Sequence, residues 1–114
     1  SRLAVLADSV PVIVWNTRAD GTNGFVNRAW FEYTGLAPGT PVDAVWADVV
    51  HPDDLPLIEQ QWAAARRAGA PVEYTYRLRR HDGVYRWFLG RVVPQHAADG
   101  RIVQWFGTAS DIEE

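Results

Sequence analysis

The chain has 114 residues, a formal net charge of −3, six Trp and neither Cys nor Met. This length predicts one domain with a single core, and the absence of Cys excludes disulfides, thiol nucleophiles and Cys-ligated metal centres. Every basic residue is Arg, which excludes Schiff-base chemistry and a P-loop lysine. The mildly acidic balance gives no general attraction to nucleic acid, and no apolar stretch is long enough to cross a membrane.

Because the chain contains no Met, we expect it to be a fragment of a longer protein that acts on flanking segments. Leu3, Val5 and Leu6, together with small alanines, predict a short helix at the start. We therefore divide the chain into an N-terminal helical cap or linker, residues 1–9, and one domain, residues 10–114.

The first part of the domain predicts a hairpin. A β-branched run over residues 10–15 predicts a strand, Asp20-Gly21 predicts a turn, and residues 24–27 predict a short partner strand.

Helices are predicted next, over residues 27–35, 42–50 and 52–68. Pro52 suits the first position of the longest helix, and Asp53 and Asp54 suit its positive dipole end. Gly69 followed by Pro71 predicts where that helix ends.

Three strands complete the chain, over residues 72–79, 84–93 and 101–112, and we expect Pro94 to end the second of them. His81-Asp82-Gly83 and Ala98-Asp99-Gly100 predict the turns between them. Strands, then helices, then strands predict an α+β fold with a five-stranded antiparallel sheet and short helices on one face.

Short motifs stand in a defined order along residues 10–113: Asp20-Gly21; Asn27-Arg28-Ala29 and Tyr33-Thr34-Gly35; His51-Pro52-Asp53-Asp54; Glu73-Tyr74, Tyr76-Arg77 and Arg80-His81-Asp82-Gly83; Tyr85-Arg86-Trp87; Asp99-Gly100, Gly107 and Asp111-Ile112. Together they resemble a PAS domain of the kind common in bacterial sensor kinases and cyclic-dinucleotide enzymes. The family usually closes on Asp-Ile-Thr, and here Glu113 replaces the Thr. The resemblance implies a sheet order of 2-1-5-4-3, a cavity between sheet and helices, and a sensing or dimerising role.

Catalytic residues are not indicated. No serine lies in a G-x-S-x-G turn and no glycine-rich phosphate loop is present, so we expect the isolated domain not to be an enzyme. His51 with Asp53 and Asp54 is open to a metal interpretation, but charges at a helix start explain it better, because no ligand set at helical spacing accompanies His51. We expect no metal site.

Five arginines cluster late in the chain and invite an anion-binding interpretation: Arg77, Arg79, Arg80, Arg86 and Arg91. Cross-strand ion pairs on a solvated sheet face, for example with Glu73, are the favoured alternative.

Tryptophan is unusually frequent for a chain of this length, and most predicted elements contain one Trp. The aromatic residues form either the packed core or the wall of a pocket for a planar ligand, and core packing is favoured because bulky rings fill the space that a ligand needs. The candidate pocket residues are Trp30, Trp46, Trp62, Tyr76, Trp87 and Trp105.

The resemblance also limits the set of cofactors that we expect the domain to bind. Relatives that bond a flavin or a cinnamoyl chromophore through a thiol need a Cys, and haem-binding relatives carry a His on the long helix, where residues 52–68 have none. We expect no cofactor and disfavour haem, while a non-covalent flavin or a small metabolite stays open.

The expected function is a cytoplasmic sensory module for signal transduction. It would couple a small ligand or partner to a flanking output domain, a two-component histidine kinase or a cyclic-dinucleotide enzyme, with Asp111 and Ile112 passing the signal. The alternative is a purely structural homodimerisation module with a filled core. We expect a homodimer through the N-terminal helix, and neither nucleic acid nor membrane as a partner.

Overall fold

The structure is a computed structural model that describes residues 12–22 and 24–112. The helical cap predicted for residues 1–9 lies outside the described residues. The elements, in chain order, are β1 (Ile13–Arg18), β2 (Phe25–Val26), α1 (Arg28–Thr34), α2 (Val42–Val49), α3 (Leu55–Ala68), β3 (Val72–Arg79), β4 (Tyr85–His96) and β5 (Ile102–Asp111). Among these residues no helix is long and apolar enough to cross a membrane.

The strands form one antiparallel sheet in the order β2-β1-β5-β4-β3, which confirms the predicted fold class and strand order. The helices cover one face of this sheet, which we call the inner face, and the opposite side is the outer face. Side chains alternate between the two faces along each strand. On β4, for example, Phe88 and Val92 are buried on the inner face, whereas Trp87 and Val93 are exposed on the outer face.

Small residues occupy the centre of the inner face. A Cβ atom on Gly107 would lie 2.0 Å from the ring of Trp15, and one on Gly90 would lie 3.1 Å from the rings of Tyr74 and Tyr76. These rings therefore lie directly against the sheet backbone, where a side chain would displace them. Ala109 pairs with Gly90 and extends this low surface, which we call the floor.

Two strands end later in the chain than the sequence predicts. β1 continues to Arg18 instead of ending at residue 15, because all six of its residues pair with β5. β4 continues through Pro94 to His96 instead of stopping before the proline. Beyond Val92, β4 pairs with β5 alone, so its other edge needs no N–H from Pro94.

The start of the longest helix is also corrected. α3 begins at Leu55, residues 52–54 form a turn, and Asp54 at the N-cap position makes no side-chain capping bond. Its carboxylate is bound by Arg77 of β3 instead. The predicted end is confirmed, since Gly69 takes the left-handed conformation with φ of 63° and closes the helix.

A row of side-chain amides crosses the outer face. The Asn16 amide donates to Gln104 over 3.2 Å, and Gln104 donates in turn to Gln95. The Asn16 side-chain oxygen accepts the backbone N–H of Phe25 over 2.9 Å. The row links four neighbouring strands by hydrogen bonds that depend on their mutual register.

Candidate ligand-binding site

A cavity of about 140 Å³ lies between the inner face and the helices. Each layer contributes aromatic rings to its wall, and the rings come from β1, α1, α2, α3 and β3: Trp15, Trp30, Trp46, Trp62, Tyr74 and Tyr76. Aliphatic side chains fill the spaces between them, and Ala109 lies on the floor. Because the floor carries no large side chain, the helices cannot close the space completely.

The polar groups of the wall are few and uncharged. Burial raises the pKa of Tyr74 to about 12 and raises the pKa of Tyr76 further, so both phenols stay protonated at neutral pH. Trp30 is buried, and its indole Nε1 has no hydrogen-bond partner among the residues that the structure describes. Within that part of the chain, no charged side chain lines the cavity.

One end of the cavity lies where α3 meets the turn after β1. Gly21 contacts the ring of Trp62, and a Cβ there would lie 3.3 Å from it. Arg66 lies beside both residues, with its guanidinium 5.3 Å from the centre of the Trp62 ring. It also donates a hydrogen bond of 3.1 Å to the backbone oxygen of Asp20, which ties α3 to this turn.

The structure brings four of the predicted pocket residues to the cavity: Trp30, Trp46, Trp62 and Tyr76. The prediction that Trp105 lines the pocket is corrected, because this residue is fully buried in a second cluster with Val92 and Ala65. The centre of its ring lies 4.9 Å from that of Trp62. The same prediction for Trp87 is also corrected, because Trp87 lies on the outer face and is 40% exposed.

Sequence reasoning missed two of the aromatic wall residues, Trp15 and Tyr74. The alternation of side chains along a strand could have identified both residues. Tyr74 lies two residues from Tyr76 on β3, and Trp15 lies two residues from buried Ile13 on β1, so each pair shares a face of the sheet.

The two residues predicted to pass the signal lie where the described chain ends. Asp111 accepts a hydrogen bond of 2.6 Å from Nε of Arg86, on the neighbouring strand. The backbone N–H of Ile112 donates to the carbonyl of Trp87 over 3.0 Å. Both contacts hold the end of β5 against the start of β4.

A second polar cluster joins α3 to the edge of the sheet. Asp54 accepts the backbone N–H of Arg77 over 2.8 Å and two guanidinium bonds of 3.0 and 2.9 Å. This partner holds the pKa of Asp54 below its usual range of about 3.8. The Arg77 guanidinium also lies 4.8 Å from the centre of the Trp87 ring. We call this arrangement the Asp54 clamp.

Charged groups elsewhere are paired in the same way. Arg80 binds Asp82, Arg86 binds Asp111, and Arg91 binds Glu73. Together with Arg77, four members of the arginine cluster therefore contact carboxylates. Arg86–Asp111 and Arg91–Glu73 are cross-strand pairs, as predicted, whereas Arg80–Asp82 lies at a turn and Arg77 contacts the residue before α3. The described residues contain no group of three or more side chains suited to a metal ion.

Comparison with known proteins identifies the family. A family model described as the PAS fold matches residues 24–109, and the chain therefore belongs to the PAS family. The N-terminal domain of a diguanylate cyclase with a PAS/PAC sensor from Marinobacter aquaeolei has the same fold. Its TM-score is 0.78 at 22% identity, over 90% of this chain and 95% of that one.

Two curated proteins are similar in sequence. The chain is 34% identical over 109 residues to the protein y4lL of Sinorhizobium fredii, and 35% identical over 115 residues to the peroxide stress-activated histidine kinase mak1 of Schizosaccharomyces pombe. These matches cover 96% and 98% of this chain. They span 13% and 7% of the relatives' own lengths, so the similarity concerns one domain of each.

We predict that Asp54→Asn lowers the free energy of unfolding at neutral pH by about 1.5–3 kcal/mol, because it removes charge-assisted hydrogen bonds. The two side chains are only 15% and 27% exposed, so solvent screens them little. Urea denaturation of the variant and the parent chain measures the difference. Asp53→Asn is the matched control, since its carboxylate is 79% exposed and its removal should change little.

The same pair predicts a pH dependence. The folded-state pKa of Asp54 lies below the ordinary value of 3.8, so its stabilising effect is complete above that value. The effect is lost as the pH falls through the lowered folded-state pKa. The stabilities of Asp54→Asn and the parent chain should therefore converge in acid, and a constant difference at all pH values would contradict the assigned ion pair.

Proposed function

We propose that this domain is a sensory module that binds a small molecule in the cavity and passes the event to an output domain of the same protein. The cavity is the observation that carries the proposal. Membership of the PAS family supports it, and so does the similarity to a histidine kinase and to the sensor of a diguanylate cyclase. The module is not catalytic by itself, and the output domain is a histidine kinase or a cyclic-dinucleotide enzyme.

The proposed location is the cytoplasm, where the nucleotide substrates of kinases and cyclases are found. The purely structural alternative, a dimerisation module with a filled core, is less well supported. A filled core would leave no space of about 140 Å³ between the sheet and the helices.

A continuous set of contacts offers a route from the cavity to the end of β5. α3 carries Trp62 on the cavity wall and follows directly after Asp54. The Asp54 clamp joins the start of this helix to Arg77, and Arg77 stacks on Trp87. The carbonyl of Trp87 binds Ile112. A ligand that moves α3 would thus act on the segment that follows β5, through packed groups that touch one another.

The cavity can be blocked in the complete protein that carries this domain. Ala109→Leu places a larger side chain on the floor, and we predict that it shifts basal output several-fold and removes the response to the inducing signal. The measurement is the phosphorylation or cyclisation rate of the output domain. Ala98→Leu, the same change in an exposed turn, is the control.

Circular dichroism checks that each variant is folded, and Ala109→Val is the milder substitute if Leu is not tolerated. Normal basal output together with a normal response in a folded cavity-blocking variant would refute sensing through this cavity.

Asp111 is proposed to act on output rather than on folding. Its ion pair with Arg86 is about one-third exposed, so Asp111→Ala should change the unfolding free energy by only about 0.2–1 kcal/mol. An energy of this size is enough to shift a two-state output several-fold. We therefore predict nearly unchanged melting of the domain and altered output of the complete protein.

The control for Asp111→Ala is Glu73→Ala, which breaks a more exposed ion pair with Arg91 that joins β3 to β4 and does not include β5. This variant should leave output unchanged. A melting loss as large as that of a core substitution would make Asp111 structural, and an indifferent output would remove its proposed role.

We also propose that the domain forms a homodimer. The outer face exposes Trp87 and Val93, which are 40% and 46% exposed, and apolar surface of this kind favours association. Light scattering of the 114-residue chain should show a dimer that weakens on removal of residues 1–8 or in Val93→Glu. Leu57→Glu, at a leucine that is 52% exposed on α3 and therefore on the helical side of the sheet, is the matched control. A monomer at all accessible concentrations would contradict the proposal.

A further inference from the structure

We infer that the cavity takes a single-ring, uncharged aromatic molecule that carries a hydrogen-bond acceptor, such as a carbonyl oxygen. The inference rests on the proposed sensory function for its biological meaning, but it concerns binding alone and is tested by binding. Size, charge and hydrogen bonding each limit the ligand independently.

Size limits the ligand to about one ring. The cavity measures about 140 Å³, whereas pockets for drug-sized molecules are usually ~300–1,000 Å³. An apolar protein cavity of ~150 Å³ holds benzene. A single-ring compound with a short substituent therefore matches the space, and the three fused rings of a flavin exceed it.

Charge limits the ligand to an uncharged one. A buried carboxylate would need a cation and a buried ammonium would need an anion, and neither lines the cavity in the described part of the chain. Aromatic cages can hold a quaternary ammonium through cation–π attraction. Here, however, Arg66 already lies over Trp62 and places a positive charge beside the wall, which disfavours a second cation.

Hydrogen bonding gives the ligand its polar group. Trp30 lines the cavity, and its indole N–H is a buried donor without a partner among the described residues. An indole N–H can only donate, so the group that satisfies it must be an acceptor. Tyr74 and Tyr76 are protonated at neutral pH, so neither phenol places a negative charge in the wall. Thr17 already uses its hydroxyl hydrogen on the carbonyl of Arg18.

The remaining wall favours a flat, apolar body. Six aromatic rings surround the space, and ring–ring contacts in edge-to-face or offset geometry add to the gain from burial. Trp15 and Trp62 already meet edge to face, with ring centres 6.2 Å apart and planes at 90°. A ligand ring would extend this packing.

The test titrates the 114-residue chain with probes of one ring that differ in charge and polarity: acetophenone, ethylbenzene, benzoate and benzyltrimethylammonium. Riboflavin is the larger probe. Calorimetry gives the affinities, and the NMR signals of the indole N–H groups report the site. Trp30→Phe identifies the Trp30 signal, and the exposed Trp87 is the internal control.

We expect acetophenone to bind and to shift the Trp30 indole N–H downfield while the Trp87 signal stays in place. Ethylbenzene, which lacks the acceptor, should bind roughly two- to tenfold more weakly, the value of one hydrogen bond. Trp30→Phe should remove that difference, and Ala109→Leu should abolish the binding of both probes. If Ala109→Leu does not fold, the NMR shift of the Trp30 indole N–H and the affinities of Trp30→Phe are sufficient to test the inference.

Three results would overturn the inference. The first is tighter binding of benzyltrimethylammonium, benzoate or riboflavin than of acetophenone. The second is no acetophenone binding by the folded chain, and the third is binding that leaves the Trp30 signal unmoved. Each concerns the ligand class alone, since the output of the complete protein tests sensing separately. Altered output in a cavity-blocked protein with no acetophenone binding would refute the ligand class and keep the sensory function.

Discussion

The contact between large aromatic rings and a bare stretch of backbone sets the shape of this domain. Gly107 lies beneath Trp15, and Gly90 lies beneath Tyr74 and Tyr76. Since only the methyl group of Ala109 projects from the floor, these rings lie low on the sheet, and helices of 7, 8 and 14 residues span the space above them. The cavity is what remains between these layers, because the middle of the sheet carries no large side chain that could fill it.

Local patterns predicted most of the fold, because they reflect interactions between near neighbours in sequence. Alternation located β3, Gly35 and Gly69 located the ends of α1 and α3, and the resemblance supplied the strand order. The start of α3 could not be predicted in this way. Asp54 looks like a helix-capping residue, and its actual partner Arg77 lies 23 residues further along the chain.

The cavity wall was predicted in part for a related reason. Aromatic residues are apolar on either face of a sheet, so composition alone cannot assign Trp87 to the outer face. On β4 both alternating sets contain apolar residues, for example Phe88 on one face and Val93 on the other. The side of the sheet on which Trp87 lies follows from its pairing with Arg77, because Arg77 faces outward. Trp105 shares the inner face with the cavity but packs against Trp62 in the smaller core cluster, which also contains Val92.

The layered arrangement assigns two properties to different residues: the sheet holds the fold together, and the helices shape the cavity. The floor is tied to the strands, and a Cβ atom on Gly107 would collide with Trp15, so this position tolerates little change. The wall opposite is built from helical side chains such as Trp30, Trp46 and Ile58, which hold no strand in register. Substitutions there can reshape the space while the sheet persists. Chemical preference can therefore drift over evolutionary time at little cost to folding, and one scaffold can come to recognise unrelated molecules.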